Sequence, residues 1–364
     1  MEFAMKVLLA AGGTAGHINP ALAIAKQFAL QGADVLFIGR EGGMETELVT
    51  REGFAIKTIA VQGFRRSLSL HNFKVAHMAY KSIGVCKKII SDFEPDIVIG
   101  CGGYVSGPAV FAATRLKIPT LIHEQNVFPG LTTKLLSKRV TKVAVSFMET
   151  KNYLKTSNLI LTGNPIRLPQ ETNRDRVKEK LGLDPSRQMV LIFGGSLGAG
   201  KINDCAMDLM RGGFTAADVV FAPGKRNYDD IMATIQNEKL DDGNFKIVPY
   251  IYNMDQMLTA CDLAVCRAGA ITISELCTYG RASILIPSPN VTHNHQEYNA
   301  NAVKQEGAAE VILESNLDSD TFRMTLTRLL QNPQRIATME KSVQNMAMPD
   351  ATEKIYQQCM QMVK

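Results

Sequence analysis

His17 closes the run Gly12-Gly13-Thr14-Ala15-Gly16-His17, which follows directly on the apolar stretch 6–11. Glycines at such a break let an anionic group approach the backbone, and the first amides of a following helix attract phosphate. A neutral imidazole just past that turn, with an ordinary pKa of roughly 6.5, suits general-base work at physiological pH. The plainer alternative is that His17 only packs the start of its helix.

The pattern recurs half a chain later. Met189-Val-Leu-Ile-Phe193 breaks into Gly194-Gly195-Ser196-Leu197-Gly198, and a helical pattern follows. Ser196 there offers a hydroxyl, and the loop offers N–H groups, to a phosphate. Two such turns, each with its own strand and helix alternation, predict two nucleotide-fold halves facing a shared cleft. A further glycine cluster, Gly100-Cys101-Gly102-Gly103-Tyr104-Val105-Ser106-Gly107-Pro108, also ends an apolar run. Together with Gly13 it is suited to grip a diphosphate, or to pack a helix tightly against a strand.

Other polar residues sit at strand ends. His123-Glu124-Gln125-Asn126 ends an apolar run, and in doubly wound sheets the carboxyl ends of strands line the ligand crevice. Asn126 is suited to a sugar hydroxyl, while His123 and Glu124 could brace loops. Cys266-Arg267-Ala268-Gly269-Ala270-Ile271-Thr272-Ile273-Ser274-Glu275 is another strand-to-helix turn. The Glu275 carboxylate can accept two hydrogen bonds from a ribose diol, or can serve as a first-turn carboxylate favoured by the helix dipole. His293-Asn294-His295-Gln296 precedes a helix and supplies amides and imidazoles. No third ligand accompanies its histidines, and His123-Glu-x-x-Val127 is not a zinc motif, so no metal is expected. Asp318-Ser-Asp320 opens a helix and reads as a cap, which leaves a departing diphosphate to a helix dipole and Arg167.

Positioning these groups requires alternating strands and helices. Strands are expected near 6–11, 34–39, 57–61, 96–100, 118–123, 142–146 and 158–162, then near 189–193, 218–222, 246–249, 262–266, 283–287 and 309–313. Helical patterns between them imply parallel sheets covered on both faces. Asn19-Pro20 is expected to open the first helix. The turn Gly163-Asn-Pro-Ile-Arg167 marks a boundary: an N-terminal domain over 1–166, a C-terminal domain over 167–348, and a last helix over 349–364 that folds back on the first domain.

Composition excludes several classes. With 364 residues, 46% apolar, the chain can bury two ordinary cores. A net charge of +5 is too mild for a nucleic-acid binder, which shows a denser basic stripe. Seven scattered cysteines without a C-x-x-C pair read as reduced thiols of a cytosolic protein. No signal peptide or membrane span is expected, and 1–4 could precede a natural start at Met5. Gly-Gly-x-x-Gly is not the dinucleotide fingerprint, and Phe37-Ile-Gly-Arg40 ends without an acid for a ribose. Phe64-Arg-Arg66 leads into Phe73, Ala76, Tyr80 and Ile83 at helical spacing, with Lys74, His77, Lys81 and Lys88 alongside. That face could rest on anionic lipid, or belong to an ordinary half-buried helix.

Taken together, the six motifs resemble, in order and over nearly the whole chain, the MurG family of N-acetylglucosaminyltransferases, which convert lipid I to lipid II in peptidoglycan synthesis. The resemblance implies a GT-B fold and no cofactor. It also implies UDP-N-acetylglucosamine in the C-terminal domain and the lipid-linked acceptor in the N-terminal one. Carried over by position, His17 is the base, and Thr14, Ala15, Gly16, Asn126, Arg167, Ser196, Ile251, Ala270, Ile271, Thr272, Glu275 and Gln296 serve the donor. Ser196 and Thr272 would meet the diphosphate, Ile251 the uracil through its backbone, and Gln296 the sugar. Gly13, Gly102, Gly103, Tyr104 and Ser106 form the acceptor diphosphate loops. The implied setting is peripheral, on the cytoplasmic face of the cell membrane, against its anionic inner leaflet and other cell-wall synthesis proteins. One departure stands out: the family usually carries glycine at position 15. Rival readings are another GT-B glycolipid synthase, a UDP-GlcNAc 2-epimerase-like enzyme, and a non-catalytic nucleotide-sugar sensor.

Overall fold

The computed structural model describes residues 4–63, 70–195, 198–240 and 243–363, with backbone alone at 70–74, 76 and 292. Contacts divide it into two units, Met1–Ile166 with Met348–Lys364, and Arg167–Ala347.

The first unit is built on seven parallel strands: β1 (Lys6–Ala11), β2 (Asp34–Arg40), β3 (Ala55–Ile59), β4 (Ile97–Gly102), β5 (Thr120–Glu124), β6 (Lys142–Val145) and β7 (Leu159–Leu161). Their order is β3-β2-β1-β4-β5-β6-β7. Chain progression reverses direction across the sheet between β1 and β4, so the crevice at a topological switch point lies at their carboxyl ends. Near-continuous burial along β1, β2, β4 and β5 follows from helices covering both faces. Phe28, Phe37 and Ile24 fill one face, and Leu8, Ile38 and Ile90 the other. The last helix, Ala351–Val363, packs on Ala15–Leu30. Its Ile355 and Cys359 enter the core, and Tyr356 meets Phe28 edge-on at 5.0 Å. Met348 belongs here as well, because its side chain covers Gly163.

The second unit repeats the plan with β8 (Met189–Phe193), β9 (Asp218–Ala222), β10 (Phe245–Ile247), β11 (Leu263–Cys266), β12 (Ala282–Leu285) and β13 (Ala309–Val311), in the order β10-β9-β8-β11-β12-β13. Its switch point lies between β8 and β11. A cluster around Phe221, Phe322, Ile202 and Met339 fills one face of its sheet, and Leu191, Val220 and Ile273 are buried outside it. Buried Lys178 is held by Asp262 at 2.9 Å, and Asp262 also receives the Met189 amide at 2.8 Å.

All thirteen strands lie within two residues of their expected windows. The first helix is a correction. It runs Ala15–Leu30, with Pro20 inside it and not at its first position. The Thr14 carbonyl receives the amides of His17 and Ile18 at 3.0 and 3.2 Å, which starts the helix before Asn19. Proline in the second turn forgoes only its bond to Gly16. Asp318 does cap its helix, accepting the Thr321 amide at 2.7 Å.

Candidate active site

In each unit the two glycine turns flank the switch point. In the first they touch: a Cβ on Gly103 would lie 2.1 Å from the Gly12 carbonyl oxygen, and Gly103 has φ +77°. Only glycine fits that approach. Thr14 and Ala15 are exposed at the start of a sixteen-residue helix, so its first amides face solvent. Ala15 lies inside the helix and is absent from the positive-φ residues, which is why a methyl group is tolerated there.

His17 sits in the first turn of that helix. Its Nδ1 is 3.1 Å from Gln125 Oε1. Burial lowers its pKa from the ordinary value, and the charge of Glu124 and the bond to Gln125 offset this only in part. The imidazole is therefore neutral near pH 7. His123, fully buried, is pushed down to about 4 by desolvation, and its Nε2 lies 3.0 Å from the Gly163 carbonyl. Glu124 receives the Gly130 amide at 2.9 Å and the Thr133 hydroxyl at 2.6 Å, tying the next helix to the end of β5. Asn126 leans on Glu124 through its own amide and side chain.

Two members of the expected acceptor loops brace those loops through contacts of their own. Ser106 is 1% exposed; its hydroxyl lies 2.8 Å from the Ala10 carbonyl and 2.7 Å from that of Gly102, and it receives the Gly102 amide at 2.9 Å. It locks the ends of β1 and β4 together and points inward. The Gly13 amide is directed at Glu45 Oε2, 3.3 Å away. Glu45 is buried and also receives the Arg40 amide at 2.7 Å, so this carboxylate fills the space behind the loop. Tyr104 is half exposed, its ring against Gly63.

In the second unit Ser196 lies outside the described residues. Around it, Gly195 (φ +93°) and Gly198 (φ +77°) lead into the helix Gly200–Arg211. Ala270, Ile271 and Thr272 are the first three residues of the helix Ala270–Tyr279. Glu275 lies a turn further on, beyond the reach of the terminal dipole. That corrects the first-turn alternative. Desolvation pushes its carboxyl up to about 7, and no charge or hydrogen bond among the described residues counters it. It lines an open recess with Arg167, Tyr252, Met254, Asp255, Leu258 and Tyr279. A half-buried carboxylate left without a partner in a recess that an arginine also lines marks a ligand site more than a structural one. Ile251 is buried between Tyr250 and Tyr252, whose rings meet edge-on at 4.9 Å, and Lys225 lies 5.2 and 5.3 Å from them. Gln296 Oε1 accepts the Ser288 amide at 2.8 Å, leaving its NH2 group to donate.

Gln125, Glu45, Tyr252 and Tyr279 were not singled out from sequence as site residues. Gln125 stood inside the His123–Asn126 motif, but two of its partners are 24 and 108 positions away. Among the described residues no three His, Cys, Asp or Glu side chains cluster to hold a metal. No helix there is long and apolar enough to cross a membrane. The Phe64–Arg66 motif, and the Phe73, Lys74 and Ala76 side chains, lie outside the described set. On the rest of helix Leu70–Phe93 the buried face is Val75, Ser82, Cys86 and Ile90, whereas Tyr80 is 75% exposed. Of that apolar spacing, Tyr80 is thus on the surface, whereas Ile83 packs against the core.

Residues 7–145 match the glycosyltransferase family 28 N-terminal domain, and 189–355 match the family 28 C-terminal domain. The chain is 47% identical to the UDP-N-acetylglucosamine–N-acetylmuramyl-(pentapeptide) pyrophosphoryl-undecaprenol N-acetylglucosamine transferase of Acetivibrio thermocellus, across 97% of each chain. It is 41% identical to the enzyme of that name from Bacillus cytotoxicus, across 99% of this chain and 100% of the other. Among solved structures, MurG of Acinetobacter baumannii superposes with a TM-score of 0.80 at 28% identity, covering 98% of this chain and 100% of that one. A UDP-GlcNAc 2-epimerase from Neisseria meningitidis shares the fold alone, with a TM-score of 0.67 at 15% identity, covering 98% and 100%.

Proposed function

Because the chain belongs to the MurG family within glycosyltransferase family 28, we propose that it transfers N-acetylglucosamine from UDP-N-acetylglucosamine to the C4 hydroxyl of the muramyl sugar of undecaprenyl-diphosphate-linked N-acetylmuramyl-pentapeptide. The end-to-end likeness to enzymes of that name carries this reading, and the partnerless Glu275 carboxylate in the recess lined by Arg167 supports it.

In this reading the second unit holds the donor. Glu275 accepts the two ribose hydroxyls, the Ile251 backbone meets the uracil, and Gln296 donates to the sugar. Arg167, Thr272, the Ser196 loop and the start of helix Gly200–Arg211 stabilise the departing diphosphate. The first unit holds the acceptor against its two glycine turns, with Tyr104 alongside, while Thr14, Ala15, Gly16 and Asn126 reach the donor, Asn126 at its sugar. His17 removes the C4–OH proton as the oxygen attacks the anomeric carbon, and UDP leaves with inversion. Transfer of labelled N-acetylglucosamine to a lipid I analogue tests the assignment. Product requiring the acceptor is expected; turnover of UDP-N-acetylglucosamine without acceptor would indicate the epimerase reading, and binding without turnover the sensor.

We propose a peripheral seat on the anionic cytoplasmic leaflet, and exposed apolar residues set among cations support that reading. Leu131 and Leu135 are more than half exposed on helix Leu131–Leu136, where Lys134 lies over Phe128 at 3.5 Å. Tyr80 and Val85 are exposed beside Lys81, Lys87 and Lys88. Both helices pack on helix Ser106–Arg115. Sedimentation with phosphatidylglycerol vesicles, but not with neutral ones, is the expected outcome.

A further inference from the structure

Two backbone carbonyls determine where every proton lies in the chain of side chains behind His17. The Cys101 carbonyl can only accept, so the end of the Gln125 amide 2.7 Å from it is the NH2 group. The other end, the oxygen, therefore faces His17 Nδ1 at 3.1 Å, and that nitrogen must carry a hydrogen. At the far end the Gly163 carbonyl, 3.0 Å from His123 Nε2, requires a hydrogen there. His123 Nδ1 is then bare and accepts the second hydrogen of the Gln125 NH2 group at 3.0 Å. Each donor meets an acceptor, and reversing any one link sets two donors or two acceptors face to face. Gln125 and His123 are 3% and 1% exposed, so water cannot easily replace a mismatched partner.

We propose that Gln125 is a positioning residue that holds His17 in the Nδ1–H tautomer, leaving Nε2 as its basic nitrogen. The inference rests on the reading of His17 as the base and extends it by naming the atom that takes the proton and the group that selects it. A hydrogen bond to one ring nitrogen commonly decides which nitrogen of a working histidine carries the proton. In hydrolase triads a carboxylate does so and stabilises the imidazolium. An amide holds the same tautomer without adding a negative charge, which keeps the base weakly basic and deprotonated. The charged or titratable groups facing the ring are Glu124 and His123, with Glu45 behind the Gly12–Gly13 turn, and the Cys101 backbone carbonyl also hydrogen-bonds the ring. His123 stays neutral near pH 7, so Glu124 is the anion acting on His17.

The decisive measurement is long-range proton–nitrogen correlation on protein labelled with ¹⁵N-histidine, with His17→Gln used to assign the signal. The wild-type protein should show Nδ1 protonated and Nε2 bare, the tautomer that free histidine disfavours. Gln125→Met, which keeps the bulk and removes both bonds, should lose that tautomer and lower kcat about 10–100-fold, with KM for UDP-N-acetylglucosamine changed less than about twofold. Gln125→Glu should move the acid limb of the kcat profile upward by about one pH unit. An Nε2–H signal in the wild-type protein, or an unchanged tautomer in Gln125→Met, overturns the proposal; the wild-type spectrum decides even if Gln125→Met fails to fold. Full activity in His17→Ala would remove His17 as the base, while the nitrogen spectrum would still report on Gln125.

Discussion

A Cβ on Gly102 would lie 2.5 Å from Nδ1 of His17, at a backbone φ of +107°. The second glycine turn of the first unit is thus the wall against which the imidazole rests. Gly102→Ala would push the ring off Gln125 and strain the turn. We expect kcat to fall on the order of 100-fold and stability to drop by about 1–3 kcal/mol. Steady-state kinetics and denaturant melts check both, and normal kcat in a stable variant would contradict the placement of His17.

Replacing His17 itself separates chemistry from donor binding. His17→Ala should slow transfer by about 10²–10⁴-fold, yet leave UDP affinity within about twofold, as measured by calorimetry. In the wild-type protein desolvation lowers the His17 pKa, so activity should persist below pH 6.5 and fall only once the imidazole protonates. A kcat profile whose acid limb lies well above 7 would contradict this.

Glu275 should exchange stability for function. Its carboxyl is raised from 4.5 to about 7, so the folded state holds a proton that the unfolded chain releases. The stability tied to that proton is fully present below about pH 4.5 and is lost as pH rises through 7. Glu275→Gln should therefore match the wild-type protein at pH 4.5 and be more stable, by roughly 1–3 kcal/mol, at pH 8. The same change should weaken UDP-N-acetylglucosamine binding at pH 8 by about tenfold or more. Thermal melts and calorimetry at the two pH values distinguish these effects.

Position 15 should tolerate glycine with little consequence. Ala15 is the first residue of its helix, so Ala15→Gly should cost at most about 1 kcal/mol and keep activity within a few-fold. A large loss would mean that the methyl group contacts a substrate.

The strand pattern was legible because its signals are local. Short β-branched runs broken by Gly-Gly mark parallel strands and the turns after them wherever they occur, and both sheets place those turns at their switch points. The start of the first helix was misread at Pro20, since proline punctuates strongly in sequence but is tolerated in a second turn. Ser106 looked like a phosphate ligand by its place in a glycine loop, yet its hydroxyl turns inward to Ala10. Tyr80 shared an apolar spacing with Ile83, yet Ile83 packs on the core with Cys86 and Ile90 while Tyr80 faces out.

The amino-acid order alone thus determined the alternation of strands and helices, the glycine turns that end them, and the candidacy of His17 and Glu275, because residue type and near-neighbour spacing encode each of these. Which hydroxyl braces and which reaches outward, which nitrogen of His17 is bare, and which carboxylate is left partnerless were decided by tertiary structure. Those properties depend on partners dozens of positions away, as Gln125 is from His17, and on the exclusion of water that makes an unmatched donor or charge costly.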